Sequence, residues 1–218
     1  MALPKLQIAL DTLSIAEGIE ILKKVKDHIN IIEVGTILIC SEGKMAIKTI
    51  KEHFPDKLIV ADGKISDAAK IFGKMFFDSG ADYTTAICAA EISTMKELVD
   101  LSNTYKNKKE VQVEMTSQFN WDQVEQWDAA GIRQVVWHRG RDAQSAGVKW
   151  KTKDIEAIAH LANMGFKVTV TGGIQVEDIK LFKDIPIYTF IAGRSIYEAK
   201  NPAAVAQDFQ MEFKKYWS

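Results

Sequence analysis

Residues 61–70 read ADGKISDAAK and follow the apolar run Leu58-Ile59-Val60. On an extended chain residues i and i+2 share a side, so Asp62 and Lys64 should project together. Asp67 follows where the next helix should begin. Two carboxylates around one ammonium form either a surface ion-pair cluster or a catalytic array. The plainer alternative for the end of the motif is that Ser66 or Asp67 caps the helix AAKIFGKMFF.

Residues of the same kind recur. Asp11 ends LQIAL, Glu33 lies within IIEV, Glu114 lies within VQVEM, and His138 follows RQVVW, with Arg139 and Arg141 just beyond. Charge inside a buried strand is costly unless it is paired or bound to metal. Its repetition at the same end of five strands is hard to explain as packing. Glu33 and Asp62 are hard oxygen ligands suited to one Mg²⁺ that keeps several waters, or else members of a metal-free carboxylate–lysine network. Lys64 suits stabilisation of a developing oxyanion, with a salt bridge to Asp62 as its alternative. His138 is a candidate proton donor near neutral pH. His28, His53 and His160 fall late in or on helical segments and read as surface or packing residues.

A second signature lies in VTVTGGI (168–174) and FIAGRSI (190–196), where glycine follows an apolar strand. Glycines let backbone N–H groups approach an anion, and Arg194 offers a fork for phosphate oxygens. Thr171, Gly173, Gly193 and Arg194 are therefore candidate substrate-binding positions. Together the two sets suggest a small phosphorylated substrate, its phosphate near the glycines and its reacting end near Glu33, Asp62 and Lys64. Metal and lysine beside acidic groups suit an enediolate, hence decarboxylation, aldol chemistry or isomerisation.

The elements that must position these residues are legible as alternation. Strand-like runs at 6–10, 31–34, 57–61, 82–87, 111–115, 133–137, 167–171 and 187–192 alternate with amphipathic segments. The segments ending near Gly80, Gly131 and Gly165 have glycine where helix C-termini favour it. This order implies a parallel sheet, and eight units in 218 residues predict one closed (β/α)8 TIM barrel spanning 1–218. A doubly wound open sheet is the rival, but no Gly-x-Gly-x-x-Gly follows the first strand. Residues 138–151 are polar and aperiodic, which predicts an active-site loop or lid.

Composition narrows the class. The chain is 47% hydrophobic and 26% charged, with 28 basic against 29 acidic residues and a net charge of −1. No global field favours nucleic acid or an anionic membrane, so an anion needs a local site. No signal peptide or membrane span is evident, and a cytoplasmic globular protein is expected. Cys40 and Cys88, both in apolar surroundings, are expected to be buried thiols.

Asp-x-Lys-x-x-Asp with the two glycine loops resembles the orotidine 5′-phosphate decarboxylase suprafamily over essentially the whole chain. IIEVGT, ADGKISDA, VVWHRGRDAQSAGV, VTVTGGI and FIAGRSI are similar to its 3-keto-L-gulonate 6-phosphate decarboxylases. That resemblance implies a Mg²⁺-dependent decarboxylase of L-ascorbate catabolism yielding L-xylulose 5-phosphate. It implies that Asp11 contacts substrate, Glu33 and Asp62 hold Mg²⁺, and Lys64 and Asp67 stabilise the transition state. It also implies that Arg194 binds phosphate, that His138 and Arg141 assist proton delivery, and that Asp67 enters a partner's site in a homodimer. The sibling 3-hexulose 6-phosphate synthases share most positions, but commonly have Thr-Met where this chain has Ile65-Ser66. A non-catalytic phosphosugar-binding barrel is the third possibility. Gly63 departs from the frequent Asp-Ala-Lys form, a change expected to affect loop stiffness more than chemistry.

Overall fold

The computed structural model of the chain describes residues 1–116 and 118–218. Eight parallel strands close on themselves in chain order: β1 (Lys5–Leu10), β2 (Ile31–Val34), β3 (Leu58–Ile65), β4 (Tyr83–Ile87), β5 (Glu110–Met115), β6 (Gln134–His138), β7 (Lys167–Thr171) and β8 (Thr189–Ala192). The helices between them are α1 (Ile15–Val25), α2 (Thr36–Glu42), α3 (Lys44–His53), α4 (Ala69–Asp78), α5 (Ile92–Asn103), α6 (Trp121–Ala129), α7 (Arg141–Ser145), α8 (Thr152–Asn163), α9 (Arg194–Tyr197) and α10 (Pro202–Trp217). Short 3₁₀ turns occupy Lys26–His28 and Val176–Phe182.

Period-two alternation divides every strand between two environments. Leu6, Ile8 and Leu10 of β1, Ile32 and Val34 of β2, and Val168 and Val170 of β7 join the apolar layer shared with the helices. The alternate residues face the barrel interior, where Gln7, Glu33, Gln112, Glu114, Gln134 and Thr169 are all buried. The core is thus an apolar sleeve between sheet and helices, around a largely polar lumen.

Several local expectations are corrected. Strand three continues through Asp62, Gly63 and Lys64 to Ile65. The helix that follows starts later and is capped by neither Ser66 nor Asp67: its N-cap is Ala68, in the left-handed region at φ 54°, without a side-chain cap. Helix α2 lies within a stretch given no helix from periodicity, and it carries Cys40 outward, so only Cys88 is buried. The segment QVEDIKLFKD forms a 3₁₀ turn rather than an α-helix. The polar 138–151 stretch is partly ordered as α7. Gly80, Gly131 and Gly165 have φ values of 104°, 94° and 94°, the left-handed conformation expected past helix ends.

Candidate active site

A bulge in β3 sets the reactive end. Ala61 pairs with Thr84, but the next registered pair is Ile65 with Ala86, so three residues of β3 pass a single residue of β4. Lys64 takes up the excess at φ 44°, a conformation rare for a residue with a side chain. The Thr85 hydroxyl oxygen accepts from the Lys64 N–H at 2.9 Å and supports the bulge. Strain of this kind at one lysine is typical of a functional position.

The ammonium so placed lies between two carboxylates. Lys64 Nζ donates to Asp62 Oδ2 at 2.9 Å and to Glu114 Oε2 at 2.5 Å. Glu114 bridges onward, its Oε1 lying 2.5 Å from His138 Nδ1. The Thr36 and Thr85 hydroxyls each donate to Asp62 at 2.8 Å, and Gln7 donates to Glu33 Oε2 at 2.5 Å. Glu33 and Asp62 sit on adjacent strands, both buried.

Electrostatics separates the carboxyls. Burial, then the charge of Asp62, pushes the Glu33 carboxyl well up; burial, then Glu114, pushes Asp62 up. Burial acts on Glu114 in the same sense, but His138 and Lys64 outweigh it and hold it down, to about 2. Burial would lower Lys64, yet Asp62 and Glu114 outweigh it and keep the ammonium charged. Three carboxyls share one lysine, an excess of negative charge that a divalent cation on Glu33 and Asp62 would offset. Among the described residues no three His, Cys, Asp or Glu side chains form a complete metal cage. Two carboxylates remain as the candidate protein donors, a set that fits Mg²⁺ retaining several waters.

The cavity holding these groups has a volume of about 200 Å³ and is lined by Asp11, Glu33, Asp62, Lys64, Glu114, His138, Arg141 and Thr171, among others. It opens into a second of about 530 Å³, with Asp11, His138, Arg141 and Thr171 shared and Gly173, Gly193 and Arg194 on the far side. Gly172 and Gly173 adopt φ values of 117° and 64°, so this turn requires glycine. Arg141 Nη2 donates to Asp11 Oδ2 at 3.2 Å and spans the mouth between β1 and β6.

Every predicted site residue except Asp67 lines one of these cavities. Asp67 is exposed beyond the end of β3 and lines neither. Gln7, Thr36, Thr85 and Gln144 also line the cavities but escaped sequence reasoning. Their neutral types carry no chemical signal, although Gln7 and Thr85 occupy inward positions that strand alternation marks.

The chain matches the family described as Orotidine 5'-phosphate decarboxylase / HUMPS over residues 4–209. It is 59% identical over 217 residues to a probable 3-keto-L-gulonate-6-phosphate decarboxylase of Mycoplasma pneumoniae, covering 100% of both chains. The crystal structure of KGPDC from Streptococcus mutans in a sugar-phosphate complex superposes with a TM-score of 0.96 at 41% identity, again over 100% of both. A 3-hexulose-6-phosphate synthase from Salmonella typhimurium gives a TM-score of 0.90 at 31% identity, covering 97% of this chain and 99% of that one.

Proposed function

Because this chain belongs to the Orotidine 5'-phosphate decarboxylase / HUMPS family, we propose that it is a carboxy-lyase converting 3-keto-L-gulonate 6-phosphate to L-xylulose 5-phosphate and CO₂, in L-ascorbate catabolism. The observation that carries this reading is the Lys64 ammonium held between Asp62 and Glu114, with Glu114 bonded onward to His138.

The substrate lies across both cavities. Its phosphate meets the Gly173 and Gly193 backbone and the Arg194 fork, while Asp11 and Thr171 contact the sugar chain. Departure of CO₂ from a β-keto acid leaves an enediolate, and Lys64 stabilises its developing negative charge. Mg²⁺, when bound to Glu33 and Asp62, supplies further positive charge at the same end of the site. Glu114 keeps Lys64 charged and engages His138 at Nδ1, which leaves proton delivery to Nε2, directly or through a water near Arg141.

Asp67 lies outside its own chain's cavities, while Ile71 and Phe72 at the start of α4 are 72% and 42% exposed. These features support a homodimer in which the apolar start of α4 is covered and Asp67 completes the partner's site beside Lys64.

The test is NMR of the purified protein with 3-keto-L-gulonate 6-phosphate and Mg²⁺, with formaldehyde plus ribulose 5-phosphate in parallel. Decarboxylation should dominate and stop in excess EDTA, and Lys64→Ala should lower kcat by about 100-fold or more. Dominant condensation would favour the synthase reading, to which the Salmonella structure lends support. Turnover unaffected by EDTA would remove the metal from the mechanism.

A further inference from the structure

We propose that Arg139 is a positioning residue that builds the phosphate site by holding the turn after β7. It rests on the phosphate site proposed above.

Arg139 is the first residue beyond β6, and its N–H donates to Thr171 O at 3.1 Å, extending the ladder between β6 and β7. Its guanidinium then turns onto the next loop. Nε and Nη2 both donate to Gly172 O, at 2.9 and 2.6 Å, while Nη1 donates to Val148 O at 3.2 Å. The guanidinium carbon lies 4.7 Å from the Trp150 ring centroid, and Trp150 packs edge-on against Phe182 at 5.4 Å. The Arg139 carbonyl accepts from Gln144 Nε2 at 2.7 Å. Each nitrogen of the fork thus donates to a protein carbonyl, while Arg139 also lines the larger cavity beside Gly173.

The peptide unit explains why this matters at a distance. Gly172 C=O and Gly173 N–H belong to one planar trans peptide and point in opposite directions. A fork closing on the Gly172 oxygen therefore turns the Gly173 N–H to the other side and fixes it there. No slack is left in the contact, since a Cβ at Gly172 would collide with Arg139 O and lie 2.6 Å from the Arg139 Cβ. Lysine at position 139 would keep the charge, but a single ammonium cannot reproduce the planar fork.

The experiment is calorimetric titration of the wild-type protein, Arg139→Ala and Arg139→Lys with inorganic phosphate, without substrate. Both variants should bind phosphate about 10-fold or more weakly, and KM should rise in parallel while kcat stays within about threefold. Thermal melting identifies any variant that fails to fold, and Arg139→Lys retains the charge if Arg139→Ala does not survive. Full phosphate affinity in Arg139→Lys would show that charge alone suffices and would overturn the clamp. Wild-type affinity in both variants, or loss of kcat with unchanged KM, would overturn it too. Failure of the wild type to bind phosphate would instead overturn the phosphate-site reading, and the clamp with it.

Discussion

Glu114 holds the Lys64 ammonium and the His138 ring at once, and its removal should be felt in both stability and chemistry. Its carboxyl titrates at about 2 in the folded chain, against ~4.3 for an unperturbed glutamate. A depressed carboxyl contributes stability that is present above the unfolded value and lost as pH falls towards the folded one. Glu114→Gln should therefore cost on the order of 3 kcal/mol at pH 7, the difference closing between about pH 4 and 2. Glu33 and Asp62 act in the opposite sense, because raised carboxyls add stability as they protonate. Urea unfolding of metal-free protein at several pH values checks this; parallel pH profiles for the two proteins would disprove it. In the proposed mechanism His138 acts later, as the proton donor. His138→Ala should slow protonation of the intermediate and scramble deuterium placement in D₂O, with substrate affinity little changed. Unchanged kcat together with unchanged stereochemistry would reassign the proton donor.

Strand β3 and helix α4 are coupled through Gly63. A Cβ at that position would collide with Cε2 of the Phe76 ring and lie 2.9 Å from its Cζ, so glycine there is a packing requirement more than a matter of loop stiffness. Phe76 is 2% exposed and has little room to retreat. Gly63→Ala should therefore destabilise the protein by about 1–3 kcal/mol, the usual cost of overpacking. Adding Phe76→Leu should return part of that loss, because the ring edge is what a methyl would meet. A denaturant double-mutant cycle measures the coupling, and additive losses would show that the two positions are independent. Activity should follow stability only loosely, unless the strain reaches Lys64 through the bulge.

At the scale of the whole molecule the prediction concerns Asp67. If it completes the partner's site, mixing inactive Glu33→Ala and Asp67→Ala proteins should restore activity. About half of randomly reassorted dimers are mixed, and each would hold one intact site, giving roughly a quarter of parental activity. If Asp67 acts within its own chain, every site lacks one group and mixing restores nothing. Native mass spectrometry confirms the exchange, so that exchanged but inactive dimers would end the shared-site proposal.

Much of this was legible in the order of residue types alone. Strand–helix alternation determined the barrel, because parallel neighbours cannot be joined by a tight turn and need a crossover helix between them. The expense of burying charge marked Glu33, Asp62, Glu114 and His138, and glycine directly after β7 and β8 marked the candidate phosphate loops. The tertiary structure alone decided the rest. Periodicity over Leu58–Val60 ends at Ala61, and only the registered neighbour β4 reveals a bulge that extends the strand and twists Lys64 into position. Capping propensity pointed to Ser66 or Asp67, yet the chain enters α4 through a left-handed Ala68 with no side-chain cap. Gln7, Thr36, Thr85 and the fork of Arg139 are ordinary residues in sequence. They acquire roles only because barrel closure brings positions far apart in the chain within a hydrogen bond of the charged groups and the glycine turn.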